Sequence, residues 1–250
     1  MILSDKKTEQ ILHFFNSVAA KYDFMNTLLS FGLHHFWKRS AVRILGLKSS
    51  DYILDVCGGT GDLSVLASIT TGSSGHVILY DINREMIAAG KTKLAGSLFK
   101  NNIFYVQGNA EQLSFSDQCF DAVMVGFGIR NLTNLEKGIK EMYRVLKPGG
   151  KMICLEFSKP NAPVFRWLYD FYSFHILIFL GELIADAKHA YTHLIDSIRS
   201  FPLPDELSTI FKKAGFPHVT YYRLTNGIVV IHLAEKTDYE KKRKKSPQRK

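Results

Sequence analysis

The order of strand-like and helix-like segments is the feature of this sequence that most restricts its fold. Short apolar segments alternate with helical stretches through the middle of the chain. The strand segments cover residues 52–57, 76–80, 102–107, 120–125 and 151–156. Helical stretches begin near residue 62 and cover 84–98 and 135–146. Such alternation predicts an α/β fold with a parallel sheet and helices on both of its faces.

The pattern changes on either side of the fifth strand. The run Lys147-Pro-Gly-Gly150 is predicted to end the helix before it, because proline and glycine do not continue a helix. Near the C-terminus, segments 218–223 and 228–234 flank the turn signal Asn226–Gly227 and predict an antiparallel hairpin. The expected sheet is therefore Rossmann-like, seven-stranded and mostly parallel.

Length and composition predict a single α/β domain with helical additions, since the chain has 250 residues and 46% of them are hydrophobic. The aromatic stretch 1–47 is interpreted as an N-terminal helical cap, followed by the main domain 48–235. Residues 157–205 are too many for a plain crossover and predict a helical insertion that covers a substrate. Residues 236–250 form a basic tail expected to be disordered.

A glycine turn follows the first strand and opens a helix. Asp55, Gly59, Thr60 and Gly61 lie in this turn, at the strand end where open α/β sheets bind ligands. NAD, FAD or S-adenosylmethionine could bind there, or no ligand at all. The third glycine of the dinucleotide fingerprint is missing, and Asp62 places a negative charge at the helix start. A negative charge there repels a pyrophosphate but not a positively charged sulfonium. This favours S-adenosylmethionine over a dinucleotide.

Two further polar signals follow the next strands. Asp81 ends the second strand, and a carboxylate there can accept hydrogen bonds from both ribose hydroxyls. The alternative interpretation of Asp81 is a residue that only caps a turn or helix. Asn109 and Ala110 follow the third strand and are candidates to face the adenine edge.

Composition excludes several other classes of protein. Cys57, Cys119 and Cys154 are widely spaced, so we expect buried core residues in a reducing cytosol rather than disulfides or a metal site. The polar N-terminus shows no secretory signal, and the apolar stretch 174–185 is too short to span a membrane. The predicted location is therefore cytoplasmic.

Charge is concentrated at the C-terminus. The net charge is +9, of which the tail 236–250 contributes +6. Such a tail is usually a solvated segment, although it could also attract anionic lipid head groups or nucleic acid.

The chain resembles the ubiquinone/menaquinone biosynthesis C-methyltransferase family from about Phe15 to Glu235. The most specific strings are Lys21-Tyr-Asp-Phe-Met-Asn26, Gly126-Phe-Gly-Ile-Arg-Asn131 and Leu155-Glu-Phe-Ser-Lys-Pro160. The resemblance implies a class I methyltransferase that methylates a ring carbon of a prenylated hydroquinol. It also places contacts to S-adenosylmethionine on Thr60, Asp81, Asn109 and Ala110.

Two departures from the family pattern affect the expected site. Gly126 stands where the family usually has a serine that contacts the cofactor. Residues 178–181 stand where the family often has a turn that contains proline.

A ring carbon becomes a good nucleophile when a neighbouring hydroxyl loses its proton. We therefore interpret Arg130 as a cation that stabilises the phenolate, with Asn131 orienting the oxygen and Tyr22 closing over the site. Glu156 and His175 are weaker candidates to relay the proton. The alternative interpretations are a pair with a surface acid for Arg130 and core packing in the cap for Tyr22.

The expected partner is the prenylated hydroquinol, whose tail would lie along the aromatic run 165–179. Demethylmenaquinol is preferred over a ubiquinone-precursor benzoquinol. RNA or phospholipid N-methylation and a non-enzymatic scaffold are weaker alternatives. We expect no nucleic-acid partner and no metal, leave a homodimer open, and expect a peripheral contact with the membrane's inner face, where a lipid-tailed quinol dissolves.

Overall fold

The computed structural model describes residues 9, 11–12, 15–16, 18–98, 100–172 and 188–238. The strands are β1 (Tyr52–Val56), β2 (His76–Asp81), β3 (Ile103–Gln107), β4 (Phe120–Gly126), β5 (Leu146–Phe157), β6 (His218–Leu224) and β7 (Val229–Glu235). The helices are α1 (Tyr22–Leu29), α2 (Leu33–Leu45), α3 (Asp62–Thr71), α4 (Arg84–Leu94), α5 (Leu135–Val145), α6 (Pro163–Phe171), α7 (Lys188–Ser200) and α8 (Pro204–Lys213).

The seven strands form one sheet in the order β3-β2-β1-β4-β5-β7-β6. Strands β1 to β5 pair in parallel, whereas β7 is antiparallel to both β5 and β6. The predicted Rossmann-like sheet with a C-terminal hairpin is thereby confirmed. The order reverses between β1 and β4, and this is where such sheets leave a crevice for a ligand.

The fifth strand begins earlier than the predicted residue 151. Helix α5 ends at Val145 as expected, and the run Lys147–Gly150 belongs to β5. The pairing of β4 with β5 shifts there, from Phe120 opposite Leu146 to Ala122 opposite Lys151. The main chain of Lys236 pairs with Gly149 and Gly150, so the run stays bonded to the sheet although Gly149 has a left-handed φ of +79°.

Two apolar layers cover the two faces of the sheet. One contains Tyr80, Phe120, Met142, Phe211 and Phe216 among its members. The other includes Trp37, Leu45, Leu63, Met124 and Ile231. Trp37 and Leu45 belong to α2, so the stretch predicted to be a cap supplies part of the main core. The domain boundaries stay a prediction.

The start of the basic tail is folded onto the sheet. Lys236 donates from Nζ to the carbonyl oxygens of Tyr143 (2.8 Å) and Leu146 (2.7 Å), at the end of α5. A cation at a helix C-terminus is favourable. Lys236 therefore belongs to the folded body, and the interpretation of the tail applies only to residues beyond Asp238, which lie outside the described part.

The cysteines are less buried than the sequence predicts. All three cysteines are free, but only Cys154 is buried, while Cys57 and Cys119 are partly exposed.

No helix among the described residues is both long and apolar enough to cross a membrane. The same residues bring together no group of three His, Cys, Asp or Glu side chains that could hold a metal ion.

Candidate active site

A cavity of about 1000 Å³, including its open mouth, lies beyond the carboxyl ends of β1, β2 and β4. We call it the strand-end cavity. Its walls include Gly59 after β1, Asp81 at the end of β2 and Gly128 after β4. Because parallel strands all end at this edge, residues far apart in sequence meet around one space.

Asp81 is the carboxylate of the strand-end cavity. Its Oδ2 accepts a hydrogen bond from the main-chain N–H of Gly59 (2.8 Å), and its Oδ1 accepts one from Asn83 (2.8 Å). Burial raises the pKa of Asp81, although these N–H donors act in the opposite direction. The bonds fix the orientation of the carboxylate and leave lone pairs for further hydrogen-bond donors.

The second polar signal, Asn109–Ala110, also lines the strand-end cavity. Asn109 accepts the N–H of Glu111 through Oδ1 (2.9 Å), which holds the loop after β3 in place. Glu111 in turn accepts the N–H of Thr133 (2.7 Å), so the loops after β3 and β4 are tied together. Met86 and other apolar side chains also line the cavity, and an apolar lining suits a heterocycle.

Three residues predicted to bind the cofactor lie outside the walls of this cavity. The hydroxyl of Thr60 donates instead to Oδ1 of Asp23, at 2.7 Å. Gly61 sits against β2, where a Cβ atom would come within 3.0 Å of Leu79 and where φ is +87°. Glycine is therefore required by the turn and by its close packing.

Asp55 is the third of these residues. It is fully buried and accepts the hydroxyl of Ser64 at 2.6 Å through Oδ2. Burial raises its pKa from 3.8 to about 7. Asp55 thus braces the glycine turn from below and does not face the cavity.

The negative charge of Asp62 is balanced by two lysines. Lys38 donates to its Oδ2 at 2.6 Å, and Lys93 donates to its Oδ1. Burial acts to raise the pKa of Asp62, but the two lysines outweigh it and lower the pKa. Neighbouring cations that sequence spacing does not reveal therefore neutralise the negative charge at the start of α3.

A second cavity of about 1420 Å³, including its mouth, adjoins the first. We call it the aromatic cavity, since its walls come mainly from apolar and aromatic side chains of α1, α2, α6 and α7. Phe15, Tyr22 and Phe127 line both cavities and so form their shared wall. A ligand in one space therefore meets a ligand in the other across only a few side chains.

Two consecutive residues in the turn after β4 face different cavities. Asn131 lines the strand-end cavity, whereas Arg130 lines the aromatic cavity. Tyr22 lines both. Of the three residues predicted to be catalytic, Tyr22 lies in the wall that both cavities share, while Arg130 and Asn131 each line one cavity.

Arg130 is held by a buried acid. Its Nη1 donates to Oε1 of Glu156 at 2.7 Å and also to the carbonyl oxygen of Phe127. Burial raises the pKa of Glu156, while the charge of Arg130 acts to lower it. Nε of Arg130 and Oε2 of Glu156 are buried without a protein partner. The pairing is therefore with an interior acid, unlike the surface ion pair considered as the alternative.

These cavities lie in a chain that matches the model of the ubiE/COQ5 methyltransferase family over residues 3–236. The chain belongs to the ubiE/COQ5 methyltransferase family. The enzyme class predicted from the sequence, an S-adenosylmethionine-dependent methyltransferase, is thereby confirmed together with its methyl donor.

Curated relatives of this ubiE/COQ5 chain agree in length and name. It is 46% identical over 94% of its length to the ubiquinone/menaquinone biosynthesis C-methyltransferase UbiE of Haemophilus ducreyi, covering 91% of that protein. Identity is 44% to the Escherichia coli O1:K1 protein of the same name, and the match covers 94% of each chain.

Solved structures resemble the fold of this family member at low sequence identity. A SAM-dependent methyltransferase from Thermotoga maritima matches with a TM-score of 0.63 and 18% identity, covering 90% of this chain and 99% of the other. The cyclase SpnF matches with a TM-score of 0.67 and 14% identity, covering 91% and 95%. Because a cyclase shares the architecture, the fold alone does not define the reaction.

The strand-end cavity of this methyltransferase fits S-adenosylmethionine. Asp81 offers a carboxylate to two hydroxyls, and apolar walls suit the adenine ring. Among the described residues of its lining there is no lysine or arginine, whereas Asp81 and Glu111 are acidic. Such a lining favours a positively charged ligand over a pyrophosphate. The acidic lining therefore supports S-adenosylmethionine, whereas the charge of Asp62 is neutralised by Lys38 and Lys93.

Several residues of the site were missed from the sequence of this family member. Phe127 adopts a left-handed φ of +57° and Cys57 one of +54°, at the ends of β4 and β1. Gly128 fits beneath them, since a Cβ there would lie 2.4 Å from the Cβ of Cys57. Strained main chain of this kind often occurs at functional sites. The sequence signals for Phe127 were the glycines on either side of it and its place in the string Gly126-Phe-Gly-Ile-Arg-Asn131.

The outcome for the remaining candidates is mixed. His175 and the departure at residues 178–181 lie outside the described residues. Gly126 lines the strand-end cavity, yet a Cβ atom there would point at Leu63, only 2.7 Å from its Cδ1. The roles assigned to individual side chains stay predictions.

Proposed function

We propose that this protein transfers a methyl group from S-adenosylmethionine to a ring carbon of a prenylated hydroquinol, with demethylmenaquinol as the preferred acceptor. The observation that carries the proposal is the aromatic cavity, which adjoins the strand-end cavity along the wall formed by Phe15, Tyr22 and Phe127. A ring with an isoprenoid tail needs a large apolar space of this kind. The names of the relatives support the same acceptor class.

The donor would be held in the strand-end cavity. Asp81 would accept hydrogen bonds from the ribose, with Gly59, Asn109 and Ala110 around the rest of the ligand. Bound S-adenosylmethionine supplies a methyl group on a positively charged sulfur. The protein must then align the acceptor carbon and keep water away.

Arg130 would stabilise the oxygen anion of the acceptor. It lines the aromatic cavity, and its ion pair with Glu156 fixes the orientation of the guanidinium plane. A cation held in a largely dry space is effective at lowering the pKa of a nearby hydroxyl. Arginine remains protonated, so the proton leaves to another group.

Asn131 and Tyr22 would orient the acceptor at the boundary. Asn131 follows Arg130 directly but lines the strand-end cavity, so it would approach the acceptor from the side of the donor. Tyr22 packs edge to face on Phe15, with ring centroids 6.1 Å apart, and closes the boundary from the side of α1. Glu156, with one carboxylate oxygen free of protein partners, is the described candidate for the proton relay.

The proposed acceptor dissolves in a bilayer, so the enzyme would act at the inner face of the membrane. Helix α6 exposes several large apolar side chains: Val164, Phe165, Trp167, Leu168 and Phe171. Phe165 and Leu168 also line the aromatic cavity. An apolar surface at the mouth of an apolar cavity gives a lipid tail a continuous path out of the bilayer.

The test is methyl transfer by the purified protein from methyl-labelled S-adenosylmethionine to defined quinols. The acceptors are a reduced demethylnaphthoquinol and a reduced demethylbenzoquinol with equal isoprenoid tails. Mass spectrometry of the products is expected to place the label on a ring carbon of the naphthoquinol. Label on the benzoquinol alone would move the proposal to the ubiquinone precursor, and label on neither quinol would reject it.

A further inference from the structure

Four charged side chains join the helices near the N-terminus to the turn beneath the strand-end cavity. Lys38 of α2 pairs with Asp62 at 2.6 Å, and Lys93 of α4 pairs with both Asp62 and Asp23. Asp23 lies in α1, and its distance to Lys93 is 2.7 Å. Positive and negative groups alternate along this row, so its net charge is zero. We call it the ionic row.

Asp23 has a second partner at the end of the ionic row. Its Oδ1 accepts the hydroxyl of Thr60, while its Oδ2 accepts Lys93. One carboxylate therefore ties α1 to the glycine turn and to α4 at once. Asp23 lines neither of the two cavities. It would act on the site only through other residues.

Tyr22 is the residue through which Asp23 can act. It precedes Asp23 in α1 and lies in the wall shared by both cavities. A second hydrogen bond holds the residues that precede Tyr22: Nδ2 of Asn83 donates to Oδ1 of Asn16 at 2.8 Å. Asn83 also donates its N–H to Asp81. Asn16 is thus bonded to Asn83, which lines the strand-end cavity, and Asp23 is bonded to Thr60 in the adjoining glycine turn.

We infer that Asp23 is a positioning residue, which holds Tyr22 over the boundary between the two cavities by anchoring α1 to Thr60 and Lys93. The inference rests on the proposed function for the role of Tyr22 in transfer. The closure of the strand-end cavity by this segment is independent of the acceptor, because Ile11, Phe15 and Tyr22 line that cavity themselves.

The connected ionic row is expected to stabilise the contact between these helices more than any single ion pair would. Isolated ion pairs at a surface contribute little. Here Lys38 is only 9% exposed and Asp62 20%, and each acid has two partners. Removing the charge of Asp23 leaves Lys93 paired with Asp62 and removes the ion pair between α1 and α4.

The experiment compares Asp23→Asn, Tyr22→Ala and the double variant with the wild-type chain. Asparagine can still accept the Thr60 hydroxyl but cannot pair with the Lys93 ammonium. Asp117→Asn is the matched control, because Asp117 also pairs with one cation, Arg144, at 2.8 Å and lines neither cavity. Melting temperature is recorded for each variant so that loss of folding is recognised.

Donor binding is the first measurement and needs no acceptor. Calorimetry with S-adenosylhomocysteine is expected to give a dissociation constant about fivefold higher for Asp23→Asn, in keeping with a lost charge-assisted hydrogen bond. The control is expected to bind like the wild type. Amide hydrogen exchange in residues 22–29 is expected to be faster in Asp23→Asn than in the wild type, and unchanged in the control Asp117→Asn. Unchanged binding and exchange in Asp23→Asn overturn the inference, whatever the acceptor proves to be.

Methyl transfer is the second measurement and separates the two proposals. If Asp23 acts through Tyr22, kcat falls about tenfold in Asp23→Asn, and the double variant is no slower than Tyr22→Ala. Losses that multiply in the double variant would show that Asp23 acts by another route and overturn the positioning role. Failure of the wild type to methylate either quinol rejects the proposed function alone, since the binding result still decides the inference.

Discussion

At the scale of single residues, surroundings decide what a side chain does. Asp55, Asp62 and Asp81 lie close together around the glycine turn. Burial raises the pKa of Asp55 to about 7, whereas two lysines overcome burial and lower the pKa of Asp62. Asp81 is buried as well but faces a cavity. The three aspartates thus differ in role. Asp55 supports the glycine turn, Asp62 pairs with two lysines, and Asp81 is a candidate to bind the cofactor.

The raised pKa of Asp55 predicts a dependence of stability on pH. Between pH 3.8 and about 7 the folded chain holds a proton that the unfolded chain releases. Stability from this group is therefore present at low pH and is lost as pH rises through that window, by up to ~4 kcal/mol. Asp55→Asn removes this loss while keeping an acceptor for Ser64.

The measurement is denaturant unfolding of the wild type and Asp55→Asn at about pH 5 and about pH 8. The variant is expected to gain stability relative to the wild type at the higher pH. Asp117→Asn, which removes a surface carboxylate, serves as control. Equal pH dependence in wild type and Asp55→Asn would contradict the prediction.

At the scale of elements, the short turn after β4 decides how the two cavities meet. The turn places Asn131 in one cavity and Arg130 in the other, while β5 supplies Glu156 beside Arg130. The adjacent strands β4 and β5 thereby fix a cation that neither could orient alone. Mutating Arg130 consequently affects folding as well as chemistry.

Arg130→Ala is expected to lower the free energy of unfolding by about 3–5 kcal/mol, because it leaves the buried Glu156 carboxylate without its cation. Adding Glu156→Gln is expected to restore part of that loss. The double variant should bind the donor normally but turn over at least ~100-fold more slowly. Denaturant unfolding, calorimetry and methyl transfer measure the three effects, and near-normal turnover in the folded double variant would rule out the role of Arg130.

Helix α6 gives a second prediction at this scale. Trp167 is 66% exposed, and its replacement by glutamate places a charge on the apolar surface. Trp167→Glu is expected to reduce co-sedimentation with vesicles that contain anionic lipid by about tenfold. Ile69→Glu is the matched control, since Ile69 is an exposed apolar residue on α3. Equal losses in both variants would show that α6 has no special part in binding.

At the scale of the whole molecule, the two cavities adjoin along one shared wall but have different linings. Helices α1, α2, α6 and α7 build the aromatic cavity on the sheet that builds the strand-end cavity. Acceptor specificity and donor binding are thus expected to respond to different substitutions.

Leu29→Trp tests this separation. Leu29 lines the aromatic cavity, so a tryptophan there fills space that the isoprenoid tail would occupy. KM for a long-tailed quinol is expected to rise about tenfold, while KM for a short-tailed quinol and donor binding change little. Leu28→Trp is the control, because Leu28 is exposed and does not line either cavity. Equal effects on long-tailed and short-tailed acceptors would contradict the placement of the tail.

The sequence determined the sheet and the position of its ligand site. Alternating periodicity places the strands, and a glycine turn after a strand needs the left-handed main chain that Gly59 and Gly61 adopt. Both signals are local, because they depend only on neighbouring residues and on which side chains avoid water. Asp81, Asn109 and Ala110 were found for the same reason, since each follows a strand whose end is visible in the sequence.

Only the tertiary structure decided which groups face the cavities and which face one another. Thr60 meets Asp23, Asp62 meets Lys38 and Lys93, and Arg130 meets Glu156. Between 24 and 37 residues separate the partners, and no periodicity encodes their pairing. Electrostatic energy depends on distances and burial in space, so the charge state and orientation of these side chains are fixed only when the helices pack on the sheet.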